Sequence, residues 1–128
     1  MTIFIQNPAL LPKVRSRALL DAAKDMPCTL RIASFLPGGK CSPQPTVVPC
    51  HIKSVGKGMG SKSSDLHVAA GCQACHDILD WRDKHGAEYI ADRYAAALAW
   101  QVVNAIYETQ HRWVEAGLIE VPGAEILK

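Results

Sequence analysis

The clearest candidates for chemistry in this chain are two thiols and an imidazole in the run Cys72-Gln73-Ala74-Cys75-His76. Two thiols separated by two residues at a turn can hold one metal ion, while the adjacent imidazole points elsewhere. Three interpretations fit these residues: a zinc knuckle followed by a functional histidine, a covalent haem attachment site of the Cys-x-x-Cys-His type, and a dithiol redox couple.

The surrounding sequence favours zinc over the other two interpretations. Haem attachment requires export, but Pro8, Pro12 and Lys13 interrupt the apolar residues near the N-terminus, so that region does not resemble an export signal. A thioredoxin-like couple requires a strand before the motif within alternating strands and helices, a pattern that this sequence lacks. Five cysteines, an odd number, also favour metal ligation or free thiols over disulfides.

Two more cysteines complete a set of four thiolates. Cys28 and Cys41 flank a predicted strand and the turn at Pro37-Gly38-Gly39, and four thiolates arriving as two pairs suit tetrahedral zinc in a site closed to substrate. Cys50 is the spare thiol, either a buried small hydrophobe or an alternative to Cys41 as a ligand. The predicted ligands of a structural Zn²⁺ are therefore Cys28, Cys41, Cys72 and Cys75.

The elements around these residues are short until the last third of the chain. We predict an N-terminal arm and short helix over residues 1–26, with the helix at 15–24, and a zinc core over 27–85. Within that core, strands are expected at 28–32 and at 46–53, the second interrupted near its middle at Pro49, and a helix begins near Gln73 and ends at Gly86. Apolar residues spaced three and four apart predict a long amphipathic helix over 87–116, within a final segment of 86–128. The whole, residues 1–128, is expected to form a single domain.

Charge is distributed unevenly although the net charge is only +2. No acidic residue occurs from Met26 to Ser64, whereas from Asp65 onward ten acidic residues outnumber five basic ones. The basic segment is interpreted either as a phosphate-binding loop or as a solvated lysine loop. Its candidate phosphate contacts are Lys53, Lys57 and Lys62. No apolar run approaches the roughly 20 residues of a membrane helix, so we expect no membrane partner.

The order Cys28, Cys41, His51-Ile52, Asp65-Leu66 and Cys72-Gln73-Ala74-Cys75-His76 resembles the zinc-knuckle branch of the HNH nucleases. The chain is most similar to phage and prophage nucleases of the YbcO type, over about residues 27–81 and the ending at 113–117. The resemblance implies an α+β fold: a small zinc-bound beta-beta-alpha core, of the treble-clef and HNH-like kind, with the long C-terminal helix packed on it. It also implies a metal-dependent DNA endonuclease in the cytoplasm of a bacterial host cell.

The same resemblance suggests roles for three side chains. His51 would be the general base, and His76 would bind a catalytic Mg²⁺ or Mn²⁺ ion. Asp65 stands where the family has Asn, and it would either orient His51 or reach the metal. One position departs from the pattern, because Cys50 replaces the Asp that often precedes the base, and a soft thiol suits magnesium poorly.

Three functions therefore compete. The first is the endonuclease with a structural zinc and a separate catalytic ion. The second is a zinc-stabilised nucleic-acid-binding module without catalysis, in which lysines contact phosphates. The third is an interaction scaffold whose long helix presents a homodimer face.

Overall fold

The computed structural model describes residues 12–53 and 63–128, which form a small α+β unit with one two-stranded sheet. The α+β class and the long C-terminal helix predicted from the sequence are confirmed. The strands and α-helices, in chain order, are α1 (Arg17–Ala23), β1 (Val48–His51), β2 (Val68–Gly71), α2 (Gln73–Leu79) and α3 (Lys84–Glu115), with short 3-10 helices at Ile32–Phe35 and Gln44–Thr46.

The sheet is an antiparallel pair whose register fixes the position of the candidate base. Val48 pairs with Gly71 and His51 with Val68, so His51 lies at the end of the hairpin that is distant from the cysteine motif. All four residues of β2 are buried, because β1 lies beside this strand and α3 packs against it. At Gly71 a Cβ would lie 2.7 Å from both the Cys50 sulfur and Leu30 Cδ1, so a larger residue there would force these buried side chains to shift.

Helix α1 follows the N-terminal segment and packs against the long helix α3. The Ser16 hydroxyl accepts a hydrogen bond from the Leu19 N–H at 3.2 Å and so caps the first turn. Leu19 and Ala23 are buried, and the indole N–H of the fully buried Trp113 donates to the Leu19 carbonyl at 3.1 Å. The predicted helix at 15–24 is thus confirmed with slightly narrower bounds.

The strand predicted at 28–32 is wrong. Arg31 has a left-handed backbone with φ of 51°, and a 3-10 helix follows it directly. The cause is local, because the Arg31 N–H turns back to donate to the Cys28 sulfur at 3.5 Å, which an extended chain does not allow. Thr29 and Leu30 still reach the sheet, since both of their N–H groups donate to the Ala70 carbonyl.

Helix α3 starts earlier than the sequence predicts. Its N-cap is Asp83, whose carboxylate accepts from the Gly86 N–H at 3.0 Å, so Gly86 lies in the first turn of α3 and does not end the preceding helix. Helix α2 ends at Leu79 instead. Tyr94 interrupts the helical backbone with φ of −134°, which divides α3 into two segments. Throughout 12–53 and 63–128, no helix has the length and apolar character needed to cross a bilayer.

Candidate functional site

The structure brings the four predicted cysteines together. One sulfur from each of Cys28, Cys41, Cys72 and Cys75 lies within 4.8 Å of the others. The Cys41 and Cys75 sulfurs are 3.8 Å apart, and two ligands of a tetrahedral Zn²⁺ with Zn–S bonds of about 2.3 Å stand about 3.8 Å from each other. The cluster could therefore hold a metal ion such as zinc.

Backbone N–H groups donate hydrogen bonds to three of the four sulfurs. Cys28 accepts from the Arg31 and Cys72 N–H groups at 3.5 and 3.4 Å. Cys72 and Cys75 accept from Ser42 and Ala33 at 3.3 and 3.4 Å. Such donors stabilise negative charge on sulfur and orient it toward a metal. These donors come from the left-handed turn at Arg31, the 3-10 helix after it, the segment after Cys41 and the N-cap of α2, so the local backbone is shaped around the cluster.

Three of the cluster thiols, Cys28, Cys41 and Cys75, shift one another's pKa values. A hydrogen bond from the Cys75 thiol, opposed by burial and helped by backbone N–H groups, lowers the pKa of Cys28 to about 4. Burial and the negative charge of Cys28 raise the pKa of Cys41 to about 11. The hydrogen bond to Cys28 and burial also raise the pKa of Cys75. The Cys28 thiolate thus forms easily and then opposes ionisation of Cys41 and Cys75, an effect that a bound cation would offset.

Cys50 is separate from this cluster. Its side chain is buried in the hydrophobic core, and the four-sulfur group contains Cys41 instead. Burial, followed by the negative charge of Asp80, raises the pKa of the Cys50 thiol to about 12. Cys50 therefore behaves as a small apolar core residue, which is the first of the two interpretations that the sequence left open.

His51 and Asp65 form a hydrogen-bonded pair. The His51 Nε2 atom lies 2.8 Å from Asp65 Oδ1. The side chain of Asp65 is only 5% exposed and that of His51 21% exposed. Because a carboxylate only accepts hydrogen bonds, the neutral imidazole must carry its proton on Nε2, which leaves the lone pair of Nδ1 available as a base.

The segment before α1 holds Asp65 in place. The Ser16 N–H donates to Asp65 Oδ2 at 2.7 Å, the Asp65 N–H donates to the Val14 carbonyl at 2.9 Å, and the Arg15 guanidinium lies 3.8 Å from Oδ1. Burial alone would raise the pKa of Asp65, but the hydrogen bonds from His51 and Ser16 and the charges of His51 and Arg15 outweigh it and lower the pKa. Sequence patterns did not reveal the hydrogen bond between Ser16 and Asp65, which are 49 residues apart.

His76 lies one residue beyond Cys75 on α2 and has a partner at each ring nitrogen. Its Nε2 atom is 2.9 Å from Asp80 Oδ2, and the Arg82 guanidinium donates to Nδ1 at 3.0 Å. Arg82 also contacts Asp77 Oδ1 at 3.1 Å. Asp80 and Arg82 were missed in the sequence, although the four-residue spacing from His76 to Asp80 on a predicted helix was a usable signal.

The predicted phosphate contacts are only partly described. Lys53 follows β1 and is exposed. Lys57 and Lys62 lie outside the described residues. The homodimer face on α3 stays a prediction; residues 91–97 of that helix are exposed.

The comparisons with known proteins agree with one another. The family model described as "Putative nuclease YbcO" matches residues 17–118. The chain is 33% identical to "Putative nuclease YbcO" of Escherichia coli (strain K12) over 104 residues, which is 80% of this chain and 96% of that protein. The protein named "Putative nuclease ybcO" of Enterobacteria phage 82 matches with the same identity and coverage. No solved structure matches the chain. The chain therefore belongs to the "Putative nuclease YbcO" family.

Proposed function

We propose that this protein is a metal-dependent DNA endonuclease of the HNH type, in which His51 is the general base. The observation that carries the proposal is the pairing of His51 with the buried Asp65 carboxylate at 2.8 Å, in a chain of a nuclease family. A histidine whose proton is fixed on Nε2 presents a single basic nitrogen, Nδ1, to a water molecule near neutral pH.

Two metals have separate tasks in this proposal. The four-cysteine cluster would hold a structural Zn²⁺, because four thiolates leave no position open for substrate. The core would then be a treble clef, with the Arg31 turn as its knuckle and α2 as its helix. His76 would bind the catalytic ion, Mg²⁺ or Mn²⁺, which would stabilise negative charge on the phosphate and the leaving oxygen.

The protein side chains perform the remaining steps. Nδ1 of His51 takes a proton from the attacking water, while Asp65 keeps the ring in the productive tautomer and stabilises the imidazolium that forms. Ser16 and Arg15 keep Asp65 ionised and in position. Lys53, exposed just beyond β1, would contact DNA phosphates together with Lys57 and Lys62. The organisms of the two relatives support a site of action in the cytoplasm of a bacterial host.

A second candidate function is a zinc-stabilised nucleic-acid-binding module without catalysis. Two observations favour it. The place of the Asp that commonly precedes the base holds Cys50, which is buried in the core. Both ring nitrogens of His76 are engaged, one with Asp80 and the other with Arg82. On this account His76 would belong to a surface hydrogen-bond network, and the lysines alone would contact nucleic acid.

A plasmid-nicking assay with Mg²⁺ or Mn²⁺ separates the two functions. The proteins compared are the wild type, His51→Ala, His76→Ala and the matched control His111→Ala, which changes an exposed histidine on α3. We expect nicking by the wild type and by His111→Ala, and loss of nicking in the other two variants while zinc content stays unchanged. If all four proteins bind DNA equally and none cuts it, the binding module replaces the endonuclease.

A further inference from the structure

We infer that Asp80 is the second protein ligand of the divalent ion proposed at His76, and that Arg82 occupies this pair as a competing cation. The inference rests on the proposed function, because it concerns the same ion. It also explains how the ion could gain a carboxylate ligand although Cys50 stands where the HNH pattern often has a metal-binding Asp.

The geometry of the pair is that of two neighbouring metal ligands. Nε2 of His76 and Oδ2 of Asp80 are 2.9 Å apart, one helical turn from each other on α2 and its C-cap. Adjacent ligands of an octahedral ion with bonds of about 2.1 Å lie about 3 Å apart. The two atoms, now at hydrogen-bond distance, can therefore both bind one Mg²⁺ or Mn²⁺ ion without moving apart, and the exposed fractions of 25% and 39% leave the pair open to solvent and substrate.

The donor chemistry also distinguishes Asp80 from Cys50. A carboxylate oxygen with an imidazole nitrogen suits a hard or borderline divalent ion, whereas a buried thiol suits neither Mg²⁺ nor hydrated Mn²⁺. The charge of Asp80 also acts on β1, the strand that carries the proposed base. After burial, it is the next cause that raises the pKa of Cys50, the residue before His51. Asp80, at the end of α2, can thus supply the carboxylate ligand that Cys50 on β1 does not supply.

Arg82 and the ion exclude each other through the tautomer of His76. The guanidinium can only donate, so its hydrogen bond to Nδ1 requires the imidazole proton on Nε2, where it points to Asp80. Coordination of the ion at Nε2 would require the imidazole proton to move to Nδ1. The Nδ1–H group and the Arg82 N–H group, both hydrogen-bond donors, would then face each other. Arg82 also lies 3.6 Å from Asp80 Oδ2, so its charge opposes a second cation. Arg82 therefore has to leave His76 when the ion binds.

The test measures Mn²⁺ binding to the zinc-loaded full-length protein from the electron paramagnetic resonance signal of free Mn²⁺. Asp80→Asn and His76→Ala should each weaken Mn²⁺ binding about tenfold or more, by analogy with losses at other metal sites. Asp80→Glu keeps a carboxylate and should retain binding. Arg82→Gln should bind Mn²⁺ more tightly than the wild type, because a competing charge and donor are removed.

Asp77→Asn is the matched control, since Asp77 is a carboxylate on the same helix that contacts Arg82. We expect its Mn²⁺ affinity to stay close to that of the wild type, with zinc content and circular dichroism equal in all variants. If Asp80→Asn binds Mn²⁺ as tightly as the wild type while His76→Ala loses Mn²⁺ binding, Asp80 is not a ligand, and the proposed ion at His76 is unaffected. A wild type that binds no Mn²⁺ would overturn the divalent site itself. Weaker or equal binding in Arg82→Gln would overturn the competition.

Discussion

The Nε2 atom of His51 lies 2.8 Å from the Oδ1 atom of Asp65, which is 14 residues further along the chain. The carboxylate is almost completely buried and receives a second hydrogen bond from the Ser16 N–H. It therefore determines the orientation and the tautomer of the imidazole at the end of β1. The consequences of this relationship can be measured both in catalysis and in stability.

Asp65→Asn should lower the nicking rate about 100-fold or more, the range over which a correctly oriented general base contributes. An amide can donate as well as accept, so the imidazole would no longer be restricted to the tautomer with the free Nδ1. The rate is measured with plasmid DNA under single-turnover conditions. Asp21→Asn, which removes an exposed carboxylate paired with Lys24, serves as the control and should cut normally. Full activity in Asp65→Asn would contradict the assigned role.

The same pair should make stability depend on pH in the acid range. The folded-state pKa of Asp65 is below its unfolded value of 3.8, so its contribution is fully present above that value and is lost as the pH falls through the folded pKa. At pH 6, Asp65→Asn should lower the free energy of unfolding by about 1.5–3 kcal/mol. Urea denaturation of both proteins at several pH values gives the difference, in which shared titrations cancel. A difference that stays constant below pH 4 would rule out this linkage.

Zinc loss should unfold the protein. Cys75→Ala removes one ligand of a cluster that could contribute on the order of 10 kcal/mol to folding, so we expect loss of zinc and of the cooperative thermal transition. Cys50→Ala is the control, because its buried thiol lies outside the cluster, and it should keep one zinc per chain with only a modest decrease in Tm. Element analysis and thermal melting with and without chelator check both. One zinc in folded Cys75→Ala would be incompatible with the proposed ligand set.

A buried pair of hydroxyls joins the segment just after Cys28 to α3. The Oγ1 atoms of Thr29 and Thr109 are 3.0 Å apart, and each hydroxyl also contacts a backbone carbonyl, that of Ala70 or Ala105. Thr29→Val and Thr109→Val should each cost about 1–3 kcal/mol, because each replacement removes buried hydrogen bonds. The double variant should cost less than the sum, with a coupling of at least about 0.5 kcal/mol. Additive losses in urea denaturation would show that the hydroxyls act independently.

Lys53→Ala should weaken DNA binding more at low salt than at high salt. If Lys53 neutralises one phosphate, the slope of log K against log salt concentration should become less steep by about one unit. Fluorescence anisotropy with labelled duplex DNA at several salt concentrations measures the slope. Lys24→Ala removes an exposed lysine that is paired with Asp21 and should leave the slope unchanged. Equal slopes for Lys53→Ala and the wild type would remove Lys53 from the DNA interface.

Local patterns predicted the features that depend on short stretches of chain. The start of α2 at Gln73 follows from the Cys-x-x-Cys turn, and α3 follows from apolar residues spaced three and four apart. The strand expected at 28–32 was wrong for a physical reason that propensities do not contain. The Arg31 N–H donates a hydrogen bond to the Cys28 sulfur, and the chain turns at Arg31. This turn overrides the strand propensity of the branched residues nearby.

By itself, the sequence determined which residue types could do chemistry: four cysteines that the fold brings together, and the histidines at 51 and 76. Only the tertiary structure decided how they are held. Ser16 reaches Asp65 across 49 residues, Thr29 reaches Thr109 across 80, and Cys41 rather than Cys50 joins the sulfur cluster. Such contacts depend on how separate elements pack, and packing is set by burial of the whole core around β2, which no local spacing encodes.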